Sequence, residues 1–428
     1  MAILLVILAI FVLCAIGVPI AVSIAVVAII GMALDGGVFA LYNSALAIYS
    51  GAVSFPLIAI PLFILAGALM NTSGISRRII AFTSALVGFV RGGLAMVNVV
   101  ASMFFAEISG SAVADVAALG SILIPEMKKR GYKAAFAAAV TSSSASLAII
   151  IPPSLTMILY GAVAETSIVQ LFVAGVVPGI LGGVLMLGVC YWAAVRYDLP
   201  RDGAFSLRRL WTAFREAFWA LTLPVIILGG IFSGFVTATE GAGLAVLAAL
   251  VIGFGIYREL DLKLLVESLR DGITQTSVVM LLVAASAVLG LYLTEAQIPQ
   301  QMTSQILSLT DNKFLVLALL NVLLLVIGMF LHGAAAIILV VPIVMPLVRE
   351  IGVDPIQFGI MLTLNLAIGQ QTPPVASVLA TASSIARIDM MQVTRANLPF
   401  IGVLLFVLIL VTYVPAVPLW LVHLVYGG

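Results

Sequence analysis

The 428-residue chain is short of the residues that water-facing chemistry uses. Only 9% of them are charged, against 63% hydrophobic, and the mean hydropathy is +1.29. No soluble domain carries that balance, so the sequence reads as an all-α, polytopic membrane protein. Cysteine is limited to Cys14 and Cys190, both inside apolar runs, which excludes a disulfide framework. Histidine is limited to His332 and His423, too few with two cysteines for a conventional zinc or haem site. No cofactor is expected. The formal net charge of +1 gives no reason to expect a nucleic-acid partner. No nucleophile–base pair or metal-ligand cluster stands out, so an intramembrane enzyme is disfavoured. The opening run, MAILLVILAIFVLCAIGVPIAV, lacks a basic n-region and reads as a first span rather than a cleaved signal.

What the sequence does contain is a repeat. Pro125, Gly131 and Pro152-Pro153 recur as Pro346, Gly352 and Pro373-Pro374, each shifted by 221 residues. Both Pro-Pro pairs fall within apolar sequence, where a helix cannot keep its hydrogen-bond ladder. Interrupted hydrophobic segments at matching places in two halves point to the binding site of a secondary transporter.

A span needs about 20 apolar residues. Spans are expected at roughly 2–16, 18–34, 39–72, 134–164, 168–195, 218–236, 240–256, 273–292, 357–386 and 398–420. The stretches 92–127 and 314–348 are too long for one span and short for two. Basic residues resolve the first. Arg91 precedes it, and Lys128, Lys129, Arg130 and Lys133 follow it. If Lys and Arg mark the cytoplasm, both ends lie inside and the segment is a re-entrant hairpin. Its turn is predicted near Ile108–Ser111, and the turn of the second hairpin near Leu331–Ala334.

Counting crossings outward from that hairpin puts segments 74–91, 128–133, 196–216, 257–271 and 387–396 in the cytoplasm. They hold 17 of the 19 Lys and Arg, all but Lys313 and Arg349, a bias that random placement rarely gives. This map places both termini outside and opens the two hairpins from opposite sides. The organisation predicted is therefore two inverted repeats. The first, 1–165, holds the hairpin at about 92–127 and a broken helix at 134–164. A connecting span and cytoplasmic basic arm occupy 166–217. The second repeat, 218–397, holds the hairpin at about 314–348 and a broken helix at 357–386, and 398–428 forms a C-terminal span. Each repeat has three spans, an arm helix, a hairpin and a Pro-Pro-broken helix. Segments 75–91 and 204–218 mix basic and apolar residues and are expected to lie at the cytoplasmic interface of the bilayer, the second against anionic headgroups.

Several constellations carry chemistry. Before the first Pro-Pro pair stand Ser142, Ser143, Ser144 and Ser146, and the prolines deprive earlier carbonyls of donors. Carbonyls near Ala148 and Ile151 are then natural ligands for a hard cation. Before the second pair stand Asn365, Gly369, Gln370, Gln371 and Thr372, polar residues that are costly at bilayer depth without partners. The tip residues Ser109, Gly110 and Ser111, and Gly333 and Ala334 in the other half, lie next to helix N-termini, which attract anions. A substrate carboxylate between the tips would meet Ser109, Gly110, Ser111, Ser143, Gly333, Ala334, Asn365 and Gln371. Glu107, Asp115 and His332 are further intramembrane polar groups, and Thr239 is the expected cap of a helix beginning at the outer turn that carries Glu240.

The segments SFPLIAIPLFILAGALMNTSGI (54–75), ISGSAVADVAALGSILIPEMKKRGY (108–132), IIPPS (150–154), TATEGAGLAVL (237–247) and NLAIGQQTPPV (365–375) resemble one known family. It is the large membrane permease subunit, DctM/SiaM type, of tripartite ATP-independent periplasmic (TRAP) transporters. The likeness covers essentially the whole chain. Ala238 stands where the family often has Pro, and Ala148 stands where Gly369 stands in the other half. The resemblance implies an elevator-type ion-transporter fold and sodium-driven uptake of an organic acid across the bacterial inner membrane. C4-dicarboxylates, sialic acids and other sugar acids are the substrate class it implies. It further implies a small four-span membrane subunit and a periplasmic substrate-binding protein as partners, with sodium as coupling ion. One sodium site would involve Ser109, Ala148, Ile151 and Pro152; the other, Gly328, Gly369, Thr372 and Val375. The alternative is a stand-alone carboxylate or ion antiporter of the same inverted-repeat architecture.

Overall fold

A computed structural model describes residues 2–109, 111–201, 204–310 and 312–427; the side chains of 2–5, 7, 36, 38–41, 107–109 and 309 lie outside that description. Among the described residues the chain is helical, without a ladder of strands. The helices are α1 (Ala2–Ala15), α2 (Ile20–Ala52), α3 (Ala59–Thr72, preceded by a 3₁₀ turn at Phe55–Ile58), α4 (Ile75–Val87), α5 (Gly93–Ser109) and α6 (Ala112–Lys129). There follow α7 (Ala134–Ala145), α8 (Leu155–Val163), α9 (Ile168–Arg196), α10 (Leu207–Phe232), α11 (Ala238–Leu250), α12 (Leu262–Glu295) and α13 (Ile298–Leu309). The chain closes with α14 (Lys313–Phe330), α15 (Gly333–Glu350), α16 (Pro355–Gly369), α17 (Ser377–Ala386), α18 (Met390–Tyr413) and α19 (Ala416–Tyr426). Eight helical stretches among the described residues are long and apolar enough to cross a bilayer.

Local chemistry sets where the helices begin. Ser111, Ser167, Ser206, Asp261, Asn312, Asp354 and Asp389 each accept a backbone N–H of the first turn that follows. At α11 the cap is Thr237, not Thr239: Glu240 N donates to Thr237 Oγ1 at 3.2 Å, and Thr237 N donates to Glu240 Oε2 at 2.7 Å, a reciprocal capping box. The predicted long span 39–72 is also revised. Its first part is the end of α2, which bends at Gly37 (φ 68°), and the helix then breaks at Val53–Ser54 before Pro56.

The elements recur at the sequence's own interval. The α14–α15 hairpin stands where α5–α6 stands, Lys313–Phe330 against Gly93–Ser109 and Gly333–Glu350 against Ala112–Lys129, with α15 beginning 221 residues after α6. The broken pair α16–α17 stands where α7–α8 stands, and both Pro-Pro bonds are cis. The halves also clasp each other reciprocally. Lys128, at the end of α6, donates its Nζ to the carbonyl of Ala386 at the end of α17, at 3.0 Å. Arg349, at the end of α15, donates Nη2 to the carbonyl of Ala164 just past α8, at 3.3 Å. Each hairpin thus ends in a cation that caps the C-terminus of the other half's broken helix, where carbonyls lack intrahelical donors and the dipole favours positive charge.

Helices α2 and α12 cross closely through small residues. A Cβ on Gly51 would stand 2.4 Å from Cβ of Ala287, and one on Gly31 would stand 2.5 Å from the Tyr292 ring. The polar helices α7 and α16 are the most enclosed elements. All of Phe136–Ala145 and Ile356–Gly369 is buried.

Candidate functional site

The two breaks place their flanking residues at the centre of the molecule. Before Pro152, α7 tightens into a 3₁₀ turn at Ser146–Ile149 and the chain restarts at Leu155. Ser154 donates to the Ile149 carbonyl at 2.8 Å and pairs with Thr156 at 2.7 Å, so hydroxyls take up a carbonyl that the prolines leave without its usual donor. Before Pro373, α16 ends at Gly369, and Thr372 Oγ1 donates to the Ile368 carbonyl at 2.9 Å.

A hydrogen-bond cluster joins the breaks across the two halves. Gln371 Oε1 accepts from Ser142 Oγ at 2.8 Å and from Asn397 Nδ2 at 2.7 Å. Gln371 Nε2 donates to the Ser142 carbonyl at 2.7 Å and also to Ser146 Oγ. Ser143 Oγ donates to Asn397 Oδ1. One layer outward, Ser102 Oγ donates to Ser144 Oγ at 2.8 Å, and Asn98 Nδ2 to Thr141 Oγ1 at 2.5 Å, tying the first hairpin to α7. Gln371, Ser142, Ser143, Ser146 and Asn397 are all buried. In hydrocarbon such groups persist only when satisfied by one another.

The predicted site residues fall into five groups. Gly328 and Gly369 form a backbone-to-backbone contact: a Cβ on Gly369 would lie 2.4 Å from the Gly328 carbonyl carbon and 2.6 Å from its Cα. Thr372 follows within a turn, and Val375, 50% exposed, lies past the prolines. Ala148, Ile151 and Pro152 are buried together at the first break, whereas the Ser109 side chain and all of Gly110 lie outside the described residues, as does the Glu107 side chain. Ser111, Gly333 and Ala334 line one cavity of about 420 Å³. Ser143 and Gln371 sit in the buried cluster instead. Asn365 turns toward the second hairpin, donating Nδ2 to Asn321 Oδ1 at 2.7 Å and to the Met361 carbonyl at 2.8 Å.

The 420 Å³ cavity gathers parts from both hairpins, both breaks and α12. Ser111–Ala114 and His332–Ala334 bring the two tips, Thr156 and Gln370 bring the two breaks, and Thr274 and Gln275 come from α12. A Cβ on Gly333 would stand 3.2 Å from Thr156 Cγ2 and 3.3 Å from Gln370 Nε2, so the second tip is wedged between the breaks. Among the described residues, no Asp, Glu, Lys or Arg lines it. The helices α6 and α15 both begin at its wall, and their first amide groups lack intrahelical acceptors. A cavity with hydroxyls, amides and two helix N-termini, and no fixed negative charge, suits a small anion. A second cavity of about 620 Å³ lies farther along the same seam, between α2 and α12 on one side and α8 and α15 on the other. Its polar lining includes Ser50, Ser54, Glu165, Ser286, Thr294 and Arg349.

Sequence reasoning missed Thr156, Thr274, Gln275 and Asn397. Thr156 carried a signal, a hydroxyl just beyond the prolines. The α12 pair Thr274-Gln275 stood as unexplained polarity in an apolar run, and Asn397 as an amide beside Pro399.

Comparison with known proteins agrees with this architecture. Residues 7–417 match the family model described as the tripartite ATP-independent periplasmic transporter, DctM component. The chain is 40% identical to the C4-dicarboxylate TRAP transporter large permease protein of Pseudomonas aeruginosa over 375 residues, 88% of each chain. It is 38% identical over 408 residues to an isethionate TRAP transporter permease protein of Oleidesulfovibrio alaskensis, covering 95% of this chain and 64% of that longer one. Among solved structures, the YdaH transporter of Alcanivorax borkumensis, reported for its unusual topology, superposes with a TM-score of 0.64 over 89% of both chains at 14% identity. That likeness is one of fold.

Proposed function

This chain belongs to the DctM component family of TRAP transporters, a secondary transporter rather than an enzyme, and on that premise we propose that it carries an organic acid anion into the cell down a sodium gradient. The observation that carries the reading is the 420 Å³ cavity, in which both hairpin tips and both breaks meet with no charged side chain among the described residues. Helix N-termini and hydroxyls there would hold the carboxylate or sulfonate. The names of the relatives, isethionate and C4-dicarboxylate transporters, are those of small organic anions.

Coupling would use the breaks. The Gly328–Gly369 contact brings two carbonyl-bearing turns together beside the Thr372 hydroxyl, the donor set that a hard monovalent cation takes. The matching set in the first half is the buried turn Ala148, Ile151 and Pro152, with Ser109. Each cation would sit behind a tip, and its charge would favour an anion at the tips. Movement would be of the elevator kind. The hairpins and broken helices form the carried body, and α2, α11 and α12 form the scaffold. Both cavities lie on the seam between those bodies, which is where a sliding boundary must be loosely packed. A periplasmic binding protein would deliver the substrate and a small four-span subunit would complete the scaffold. The isethionate relative exceeds this chain by about a third of its own length, room for such a subunit.

The test is uptake into proteoliposomes holding both membrane subunits, with a panel of organic acids, each offered with its binding protein. An inward sodium gradient should drive accumulation of one acid, and collapsing the gradient should abolish it. Accumulation indifferent to sodium would sink the coupling, and accumulation without any binding protein would establish the stand-alone antiporter instead.

A further inference from the structure

Two cavities flank the seam between α4 and α10, away from the transport path. One, of about 440 Å³, is polar: Ser84 on α4 faces Ser206, Arg208, Arg209 and Thr212 on α10, with Glu216 at one end. The other, of about 620 Å³, is apolar, formed by Phe82, Leu86, Leu207, Leu210, Trp211 and Phe214. Arg208 lines both. Neither Arg208 nor Arg209 forms an ion pair among the described residues, although Arg77, Arg78, Arg91 and Arg130 all do. Trp211 is 60% exposed and stacks on Phe214, whose ring meets Phe82 across the seam at 6.1 Å.

We propose that this seam is a binding site for one anionic phospholipid, its phosphate between Arg208 and Arg209 and its acyl chains along Phe82, Trp211 and Phe214. The argument is charge and shape together. Two guanidiniums beside hydroxyls, neither in an ion pair among the described residues, suit an anion, and guanidinium matches phosphate geometry bidentately. The adjoining aromatic groove needs hydrocarbon, and aromatic rings settle at the headgroup level. Only an amphiphile fills both at once. The charge map of the chain places this segment at the cytoplasmic face, where anionic lipids exert their field. The site has a mechanical role as well. Helix α4 leads through the tight Gly88–Gly93 turn into the first hairpin, so a headgroup bridging Ser84 and α10 fixes the arm from which that hairpin hangs.

Native mass spectrometry of the full chain in detergent tests this with added phosphatidylglycerol, phosphatidylethanolamine or inorganic phosphate. Wild type should retain one phosphatidylglycerol and neither of the other two. Each basic residue near an anionic surface contributes about fivefold, so the R208Q/R209Q double variant should retain it roughly 25-fold more weakly. R270Q, which removes another exposed charge elsewhere, should retain it as wild type does. Trp211→Ala should weaken retention while leaving inorganic phosphate unbound. All three variants alter exposed positions, and size-exclusion profiles verify that they fold. Equal loss in R270Q, or retention of inorganic phosphate alone, would overturn the proposal. So would displacement of the lipid by the small membrane subunit, which would make this face a protein interface.

Discussion

Replacing Gln371 by Met removes four short hydrogen bonds, and a longer one from Ser143 at 3.5 Å, at the junction of the two halves while keeping the side chain's length. Interhelical hydrogen bonds in membranes average about 0.6 kcal/mol each, so four amount to about 2.4 kcal/mol. The change also strands the buried Asn397 amide and leaves the Ser142 carbonyl with the 3.4 Å bond from Ser146 Oγ, and an unpaired buried group raises the loss toward about 4 kcal/mol. Reversible unfolding in mixed detergent micelles, followed by tryptophan fluorescence, reads this directly. A double-mutant cycle with Ser142→Ala isolates the bond between the two halves and should give a coupling of about 0.6–1.5 kcal/mol. A coupling indistinguishable from zero, or a Gln371→Met loss below about 0.5 kcal/mol, would refute the reasoning. Gln371 would then be a spectator, and apolar packing and the Lys128 and Arg349 clasps would hold the halves.

Gly369→Ala forces a methyl into the Gly328 backbone, which cannot yield as a side chain can. The expected outcome is at least a tenfold rise in the sodium concentration for half-maximal uptake; an unchanged value would separate the contact from any cation site. Thr372→Ala and Ser109→Ala should each raise the same sodium half-saturation more than they lower the amount of protein in the membrane, and sodium dependence identical to wild type would remove these residues from the sites. In the loop before α12, the hydrogen bond from Arg78, then the charges of Arg78 and Arg77, hold the Glu259 carboxyl below the usual range. A carboxylate lowered by folding stabilises the fold above its unfolded pKa of about 4.3 and loses that contribution as pH falls through the folded value. Arg78→Gln should therefore lower the melting temperature at pH 7, by an amount equivalent to at most about 1 kcal/mol, and the gap from wild type should close below pH 4. A gap that persists there would mean that Arg78 acts through its stacking on Tyr257, 3.7 Å from the ring centre.

Much of the fold was written in proline, glycine and charge. The Pro-Pro pairs fixed both breaks because no partner elsewhere can restore a missing amide hydrogen. The hairpin turns fell within a residue or two of their expected places because short polar tips in apolar runs have few alternatives. What the sequence concealed were relations between distant residues. Gln371 and Ser142 are 229 positions apart, and each alone reads merely as polarity at depth. Asn365 looked equivalent to Gln371, yet one helical face turns it to Asn321. The break at Val53–Ser54 was hidden because apolar residues run on both sides of it, and its counterpart in the other half is the unbroken α12. Thr237 rather than Thr239 caps α11 because the box requires Glu240 three positions later, a spacing present in the sequence but outweighed there by the outer-turn reading.

The paired clasps of Lys128 on Ala386 and Arg349 on Ala164 make the two halves mutual hostages. Neither hairpin can shift without drawing on the end of a helix that belongs to the opposite half. A half-travelled state, with one repeat displaced and the other left behind, would have to release a capped helix terminus. The clasps stand at the ends of the two hairpins, so that the movement proposed above would be a single step in which both repeats travel or neither does.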